Sequence, residues 1–333
     1  PDYAVTGVQT CALPICNNLG ELPLNHLSWS EIYSETLIRL AKKDSNIMVL
    51  TPAMCQGSKL EKFFALYPDR SLDCGIAEEH AATLASSMAL NGLKPFLSIY
   101  STFLQRSYDQ INHDIARMES PVVIGIDRSG LVGEDGPTHH GVFDVGILRP
   151  LPNMIIAQAK DASEAQDLLY TAFELRRPYA IRYPRGSAVY YENDSLSIIE
   201  TGTWTILGNL DTADVIVLAY GPDVDKIKIK AESNGLNVAV INARFFKPLD
   251  DNMLNRLTLL NKPVIVYETD MLSGGLGSAI LEWLNQHNSY LNLKRIGIKD
   301  HFVTHGSLPE LRKYENIDIS SLFDLINQLL HKE

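Results

Sequence analysis

The sequence predicts an α/β protein of two domains, each with a mainly parallel sheet flanked by helices. Short runs of nearly continuous apolar character, such as "NIMVLT", "PVVIGID", "DVIVLAY", "NVAVINA" and "PVIVYE", alternate with longer segments of helical character. A strand apolar on both faces belongs in a parallel sheet covered on both sides. The alternation stops over a polar stretch at 191–203 and then begins again. With 333 residues in all, each half is long enough to bury its own core.

Taken in order, Ser28 or Ser30 is placed to cap a first helix running to about Lys43, with Ile32, Leu37, Leu40 and Ala41 on its apolar side. "NIMVLT" (46–51) follows as a buried strand. The small-residue segment 76–92 reads as a helix stopped by Asn91-Gly92. Next come "KPFLSIYS" as strand, "FLQRSYDQINHDIARME" as one helix, and "PVVIGID" as strand, with "RRPYAIRYPRG" closing the half. In the second half the strands at 214–220, 237–243 and 263–268 are accompanied by helices near 222–234, 249–260 and 275–287. The expected division is a leader at 1–27, a first domain at 28–187, a linker at 188–199 and a second domain at 200–333.

Composition narrows the function. A net charge of −11 disfavours nucleic acid and anionic membrane as partners, but leaves room for an anionic small substrate wherever arginines gather locally. No run of eighteen apolar residues is present to span a bilayer. Cys11, Cys16, Cys55 and Cys74 form neither a C-x-x-C pair nor a zinc pattern, which suits reduced thiols and a cytoplasmic location. The first sixteen residues, "PDYAVTGVQTCALPIC", carry no secondary-structure period and no signal-peptide plan. They resemble translated sequencing-adapter read-through and are set aside from the fold.

Ligands of an open parallel sheet sit beyond the carboxyl ends of its strands. Three polar loops leave that edge: the turn into "GIAEEHA", the segment "SIYSTFLQR", and the loop containing "GEDGPTHHG" (133–141). The last crowds two acids and two histidines among glycines, which allow tight backbone closure around a ligand. Glu78 begins a helix, where any carboxylate gains from the dipole. Its neighbours Ile76, Ala77, Ala81 and Ala82 would shield it from water and raise its proton affinity. Phe103, just after a strand, has the usual position of a core aromatic. Arg106, Arg128 and Arg185 follow strand ends, where a phosphate needs bidentate partners, although each also suits a surface. Adjacent His139 and His140 cannot easily face one ligand, so a two-histidine metal site is not expected. "SGGLGSA" (273–279) opens a helix but lacks the lysine of a phosphate loop, and reads as a tight turn.

"YPDRSLDCGIAEEHAATLASSMALNGLKPFLSIYSTFLQRSYDQINHDIA" and "IDRSGLVGEDGPTHHGVFDVGILRPLPNM" closely resemble the 1-deoxy-D-xylulose-5-phosphate synthase family, as do "LTPAMCQGSKL", "IRYPRG", "FFKPLD", "SGGLGSA" and "DHFVTHGS". These are transketolase-like thiamine diphosphate enzymes. The resemblance runs from about Ser28 to the end and implies a pyrimidine-binding domain followed by a transketolase C-terminal domain. It implies condensation of pyruvate with D-glyceraldehyde 3-phosphate and loss of CO2, in isoprenoid, thiamine and pyridoxal biosynthesis, by a homodimer. The family's diphosphate- and Mg²⁺-holding GDG…NN motif is not found, so those ligands are expected from an N-terminal domain and the isolated chain is expected to be inactive.

By the same resemblance Glu78 matches the glutamate on N1′ of the aminopyrimidine, and Phe103 the aromatic stacked on that ring. Tyr100, Arg106, Arg128, Asp135, His139 and Arg185 match substrate-pocket positions. Arg128 and Arg185 would clamp phosphate, and His139, with Asp135, would manage protons at the acceptor aldehyde. The alternatives are the β subunit of a 2-oxo-acid dehydrogenase E1, a transketolase C-terminal subunit, and a non-catalytic dimerising half. "HGVFDVGILR" and "YSTFLQR" favour the synthase.

Overall fold

The computed structural model describes residues 25–331, so nearly all of the expected leader, with Cys11 and Cys16, lies outside the described residues. Two sheets organise the chain. Across the larger one the strands run Phe245–Lys247, Ile155–Gln158, Tyr179–Pro184, Val123–Ser129, Lys94–Tyr100, Ile47–Thr51 and Ser71–Asp73. All neighbours are parallel except the pair Phe245–Lys247 and Ile155–Gln158. The smaller sheet runs Asn292–Ile298, Pro263–Met271, Val215–Ala219, Val238–Asn242 and Thr205–Leu207, with only the last pair antiparallel. The α/β reading with mainly parallel sheets is thus the observed architecture, and the all-apolar strands are the buried ones.

The first helix, Trp29–Ala41, begins where the sequence placed it. The Ser28 hydroxyl accepts from the Glu31 N–H while Glu31 returns to the Ser28 backbone, a reciprocal cap that satisfies two orphan donors. The expected single helix after Lys94–Tyr100 is instead broken. An α-turn at Ser101–Leu104, a 3-10 turn at Gln105–Ser107, a short α segment at Tyr108–Gln110 and a π-turn at Ile111–Ala116 follow one another. The Arg117 and Ser120 N–H groups reach back five residues, to Asn112 and Ile115, so the hydrogen-bond ladder changes period here.

The two halves share more than a linker. Phe245–Lys247, from the second half, extends the first sheet, and one core cluster runs from Trp29 and Leu37 through Tyr179 to Phe245 and Leu254. A second core lies beneath the helix Ile319–Leu330, where Leu322, Phe323 and Ile326 cover Val215, Val217 and Ile265. At the junction sits Arg182, fully buried. It donates to Asp144 (3.0 and 3.1 Å), Gln158 (2.8 Å) and Asp270 (2.7 Å), and Asp270 also accepts the Tyr220 hydroxyl at 2.5 Å. Three of these groups belong to the first half and two to the second, so the charge network fixes their mutual position.

Candidate active site

The carboxyl edge of the larger sheet assembles most of the expected residues. Lys94–Tyr100 ends in Tyr100 and leads at once to Phe103, while Val123–Ser129 carries Arg128 within the strand rather than beyond its end. Arg128 adopts a left-handed φ of 64°, a strained choice for a side-chain-bearing residue that redirects the chain into the loop. That loop is pinned at its neck by reciprocal backbone bonds between Gly130 and Gly141 (2.7 and 2.8 Å). Gly141 is required there, because a Cβ would stand 2.2 Å from the Arg128 carbonyl oxygen and 2.6 Å from Ser101 Cβ. His140 is buried and structural. Its Nδ1 accepts from the Val132 N–H (3.2 Å), which leaves Nε2–H to donate to the Thr304 carbonyl (3.0 Å) and tie the loop to the second half.

The rings of Tyr100 and Phe103 stack with centroids 5.7 Å apart and planes 10° from parallel, and His139 meets Phe103 edge-on at 5.5 Å. The guanidinium of Arg106 lies 4.6 Å over Phe103 and that of Arg128 4.9 Å over Tyr100. Arg106 also donates to Glu78 Oε1 at 2.5 Å. Glu78 begins the helix Glu78–Leu90 and is only 2% exposed. Its shielding does not come from Ile76, which is 81% exposed, contrary to the sequence expectation. The φ of 66° at Gly75 turns the chain so that Ile76 faces outward while Glu78 faces in.

Phe103 and His139 form a wall between two cavities. One, of about 490 Å³, is lined by the Ala53–Gly57 turn, Asp73 and Tyr100; the other, of about 560 Å³, by Arg106, Pro137, Phe143 and Phe302. Arg185 reaches neither. It pairs with Asp135 at 3.0 Å, donates to the Val132 carbonyl at 3.0 Å and faces a separate cavity between the halves. Asp135 and Arg185 are therefore together, and the Asp135 carboxylate is close enough to Tyr100 to help burial hold its phenol above the ordinary value. Arg128 Nη1 lies 3.3 Å from Asp127, and its buried Nε has no protein partner.

Two buried carboxyls near the loops escaped the motif reading. Asp127 is fully buried, accepts the Ser30 hydroxyl (2.7 Å) and the Arg128 N–H (2.7 Å), and burial pushes its carboxyl up to about 6 despite the adjacent guanidinium. An acid ending the otherwise apolar run "PVVIGID" was the available signal. The "SGGLGSA" helix start is filled from within the chain, by a buried carboxyl. Glu268 accepts the Leu276 and Gly277 N–H groups at 2.6 and 3.0 Å, and burial pushes its carboxyl up to about 8. Among the described residues no group of three or more His, Cys, Asp and Glu side chains is arranged to hold a metal. Nor, among the described residues, is any helix long and apolar enough to cross a membrane.

A parallel-sheet half presenting a buried glutamate beside a stacked aromatic, joined to a second parallel-sheet half, defines a transketolase-type pair of domains. Residues 25–189 match the family model of the transketolase pyrimidine binding domain and residues 205–322 that of the transketolase C-terminal domain; the chain belongs to this family. Within it, the chain is 44% identical over 310 residues to 1-deoxy-D-xylulose-5-phosphate synthase of Listeria welshimeri, covering 91% of this chain and 48% of that one. With the synthase of Bacillus licheniformis it shares 46% over 290 residues, 85% of this chain and 46% of that one. The chain thus spans about half the length of the curated relatives it matches. A solved structure described as a split gene transketolase, inactive beta4 tetramer, superposes with a TM-score of 0.78 at 25% identity, over 91% of this chain and 98% of that one. Transketolase of Campylobacter jejuni superposes at 0.73 with 18% identity over 92% of this chain and 47% of that one, which is likeness of fold alone.

Proposed function

We propose that this chain is the pyrimidine-binding and C-terminal portion of a 1-deoxy-D-xylulose-5-phosphate synthase, which condenses pyruvate with D-glyceraldehyde 3-phosphate and releases CO2. The observation that carries the reading is the Glu78–Arg106–Phe103–Tyr100 cluster, in a chain 44% identical over 91% of its length to named synthases.

The residues suit the aminopyrimidine of thiamine diphosphate. Glu78 is buried yet has one protein partner, Arg106 on Oε1, so Oε2 is open to a ring nitrogen. Phe103 offers an aromatic face between two cavities. When bound, the cofactor supplies the nucleophilic carbon and the electron sink for decarboxylation. Glu78 would hold the proton shared with ring N1′, kept from water by its burial. Phe103, backed by the stacked ring of Tyr100, would orient the aminopyrimidine, and Tyr100 would line the substrate pocket. His139, braced by the Thr138 hydroxyl at 2.9 Å, would move a proton at the acceptor aldehyde oxygen. Arg128, with an unpartnered Nε, and Arg185, near Asp135, would hold the acceptor phosphate. The described residues do not fit Mg²⁺, so no step is assigned to it here, and its ligands and those of the diphosphate are assigned to a separate GDG…NN-bearing domain. We place the assembled enzyme in the cytoplasm as a homodimer.

The split-gene likeness supports a second reading, a separately encoded transketolase half, since the chain covers 98% of that protein. The lower identity, 25% against 44%, favours the synthase. The purified chain, mixed with the N-terminal half of the Listeria welshimeri synthase, thiamine diphosphate and Mg²⁺, should form 1-deoxy-D-xylulose 5-phosphate, and neither half should do so alone. Turnover by this chain alone, or two-carbon transfer between sugar phosphates in place of the condensation, would overturn the proposal.

A further inference from the structure

A cavity of about 590 Å³ lies between the two halves and is not lined by Tyr100, Phe103 or His139. We propose that it binds a phosphorylated small molecule, with the phosphate held by Lys226, Arg312 and Lys313. The inference is independent of the reaction proposed above.

Charge is the first ground. The chain carries −11 overall, yet Lys226, Arg312 and Lys313 converge on this one space, beside Arg185, which is already paired with Asp135 at 3.0 Å. Two carboxylates also line it, and both are already engaged. Asp223, buried, accepts Lys226 Nζ (3.0 Å) and Arg312 Nη1 (2.7 Å). Asp318 accepts the Ser320 and Ser321 N–H groups and the Ser321 hydroxyl at the start of its own helix. Burial alone would raise the Asp223 carboxyl, but the two cations outweigh it and hold it below its ordinary value, so it stays ionised. The local excess is therefore positive.

The second ground is an unsatisfied donor. Arg312 spends Nη1 on Asp223, while its Nε is buried without any protein acceptor. A guanidinium donor removed from water and left unpaired is costly, and an oxyanion is the partner its fork geometry fits. Size and lining supply the third. The volume is that of a metabolite site, and Trp29, Leu131, Leu308 and Pro309 give it apolar walls around a few convergent cations. Loop and cavity also touch: a Cβ on Gly133 would lie 3.2 Å from the Leu308 backbone nitrogen, so the helix Leu308–Tyr314 that carries Arg312 and Lys313 abuts the loop 133–141.

The test is calorimetric titration of the full chain with glycerol 3-phosphate and with inorganic phosphate, at constant ionic strength set with chloride. Saturable binding of glycerol 3-phosphate is expected. Lys226→Ala/Lys313→Ala should weaken it at least about tenfold, and Arg312→Lys, which keeps the charge but removes Nε, should weaken it several-fold. Lys43→Ala/Lys62→Ala, an equal charge loss on another face, should leave it unchanged. Circular dichroism establishes that each variant is folded. Equal affinity for inorganic phosphate would assign the site to the free ion and overturn its metabolite reading. No saturable binding of either probe, or equal weakening by the two lysine pairs, would overturn the site itself.

Discussion

Replacing Arg182 by Met tests whether the buried charge network holds the halves together. The substitution keeps side-chain length and removes four hydrogen bonds to Asp144, Gln158 and Asp270. Asp144 and Asp270 are both essentially inaccessible, at 1% exposure each. They retain only neutral donors: the Ser129 hydroxyl and Val145 N–H for the first, the Tyr220 hydroxyl for the second. Removing one partner of a buried ion cluster costs about 3–5 kcal/mol, because the remaining charges stay buried. For a chain of 333 residues that lowers Tm by roughly 4–7 °C. Urea denaturation followed by tryptophan fluorescence measures it, and the sign of the effect is checked by neutralisation. Arg182→Met combined with Asp144→Asn and Asp270→Asn should recover at least half of the loss, and the single-variant deficit should shrink as pH falls and the carboxylates protonate. A loss below about 1 kcal/mol, or one that neither neutralisation nor acid relieves, would refute the reasoning.

Asp127 contributes a pH dependence of definite sign: its folded carboxyl titrates at about 6 against an ordinary 3.8, so the folded state binds the proton more tightly. The stability it contributes is complete below about pH 4 and is lost as pH rises through about 6, a swing of about 3 kcal/mol that Asp127→Asn should abolish in urea melts taken across that window. Gly141→Ala should destabilise the chain by about 1–3 kcal/mol, because the new Cβ meets backbone and Ser101 together, and thermal melting reads the loss directly. In the assembled enzyme, Arg128→Ala or Arg185→Ala should raise KM for glyceraldehyde 3-phosphate roughly 10- to 150-fold, with little change for unphosphorylated glyceraldehyde. Equal losses with both aldehydes would remove that arginine from phosphate binding.

The parts of the fold that could be read in advance were those with local signals. The buried strands at 47–51, 215–219 and 238–242, and the first half of 123–129, are runs of almost unbroken apolar residues, and Ser28 with Glu31 announces its helix by spacing alone. Phe245–Lys247 could not be read that way, since three residues pairing with a strand nearly ninety positions earlier leave no local period. The helix expected from "FLQRSYDQINHDIARME" failed because its tertiary partners, Glu78 for Arg106 above all, override the ladder. At the site, residue types and motif order identified Glu78, Tyr100, Phe103 and His139 as neighbours of one edge. Their sequence positions could not reveal that Ile76 turns outward, that Arg185 is tied to Asp135 and lines the cleft between halves, or that the arginine of "YAIRYP" is wholly buried. Each of these depends on what packs across the strand, which a single chain pattern does not encode.

The central claim is that Glu78 activates thiamine diphosphate through the pyrimidine ring, and the exchange rate of the cofactor C2 proton reports that step without requiring turnover. With the chain assembled on the N-terminal half of the Listeria welshimeri synthase, proton NMR of quenched deuterium exchange should show Glu78→Ala slowing C2 exchange by at least about a hundredfold, with cofactor still bound. An exchange rate in Glu78→Ala equal to that of the unaltered assembly would contradict the account and return Glu78 to a carboxylate that merely starts a helix.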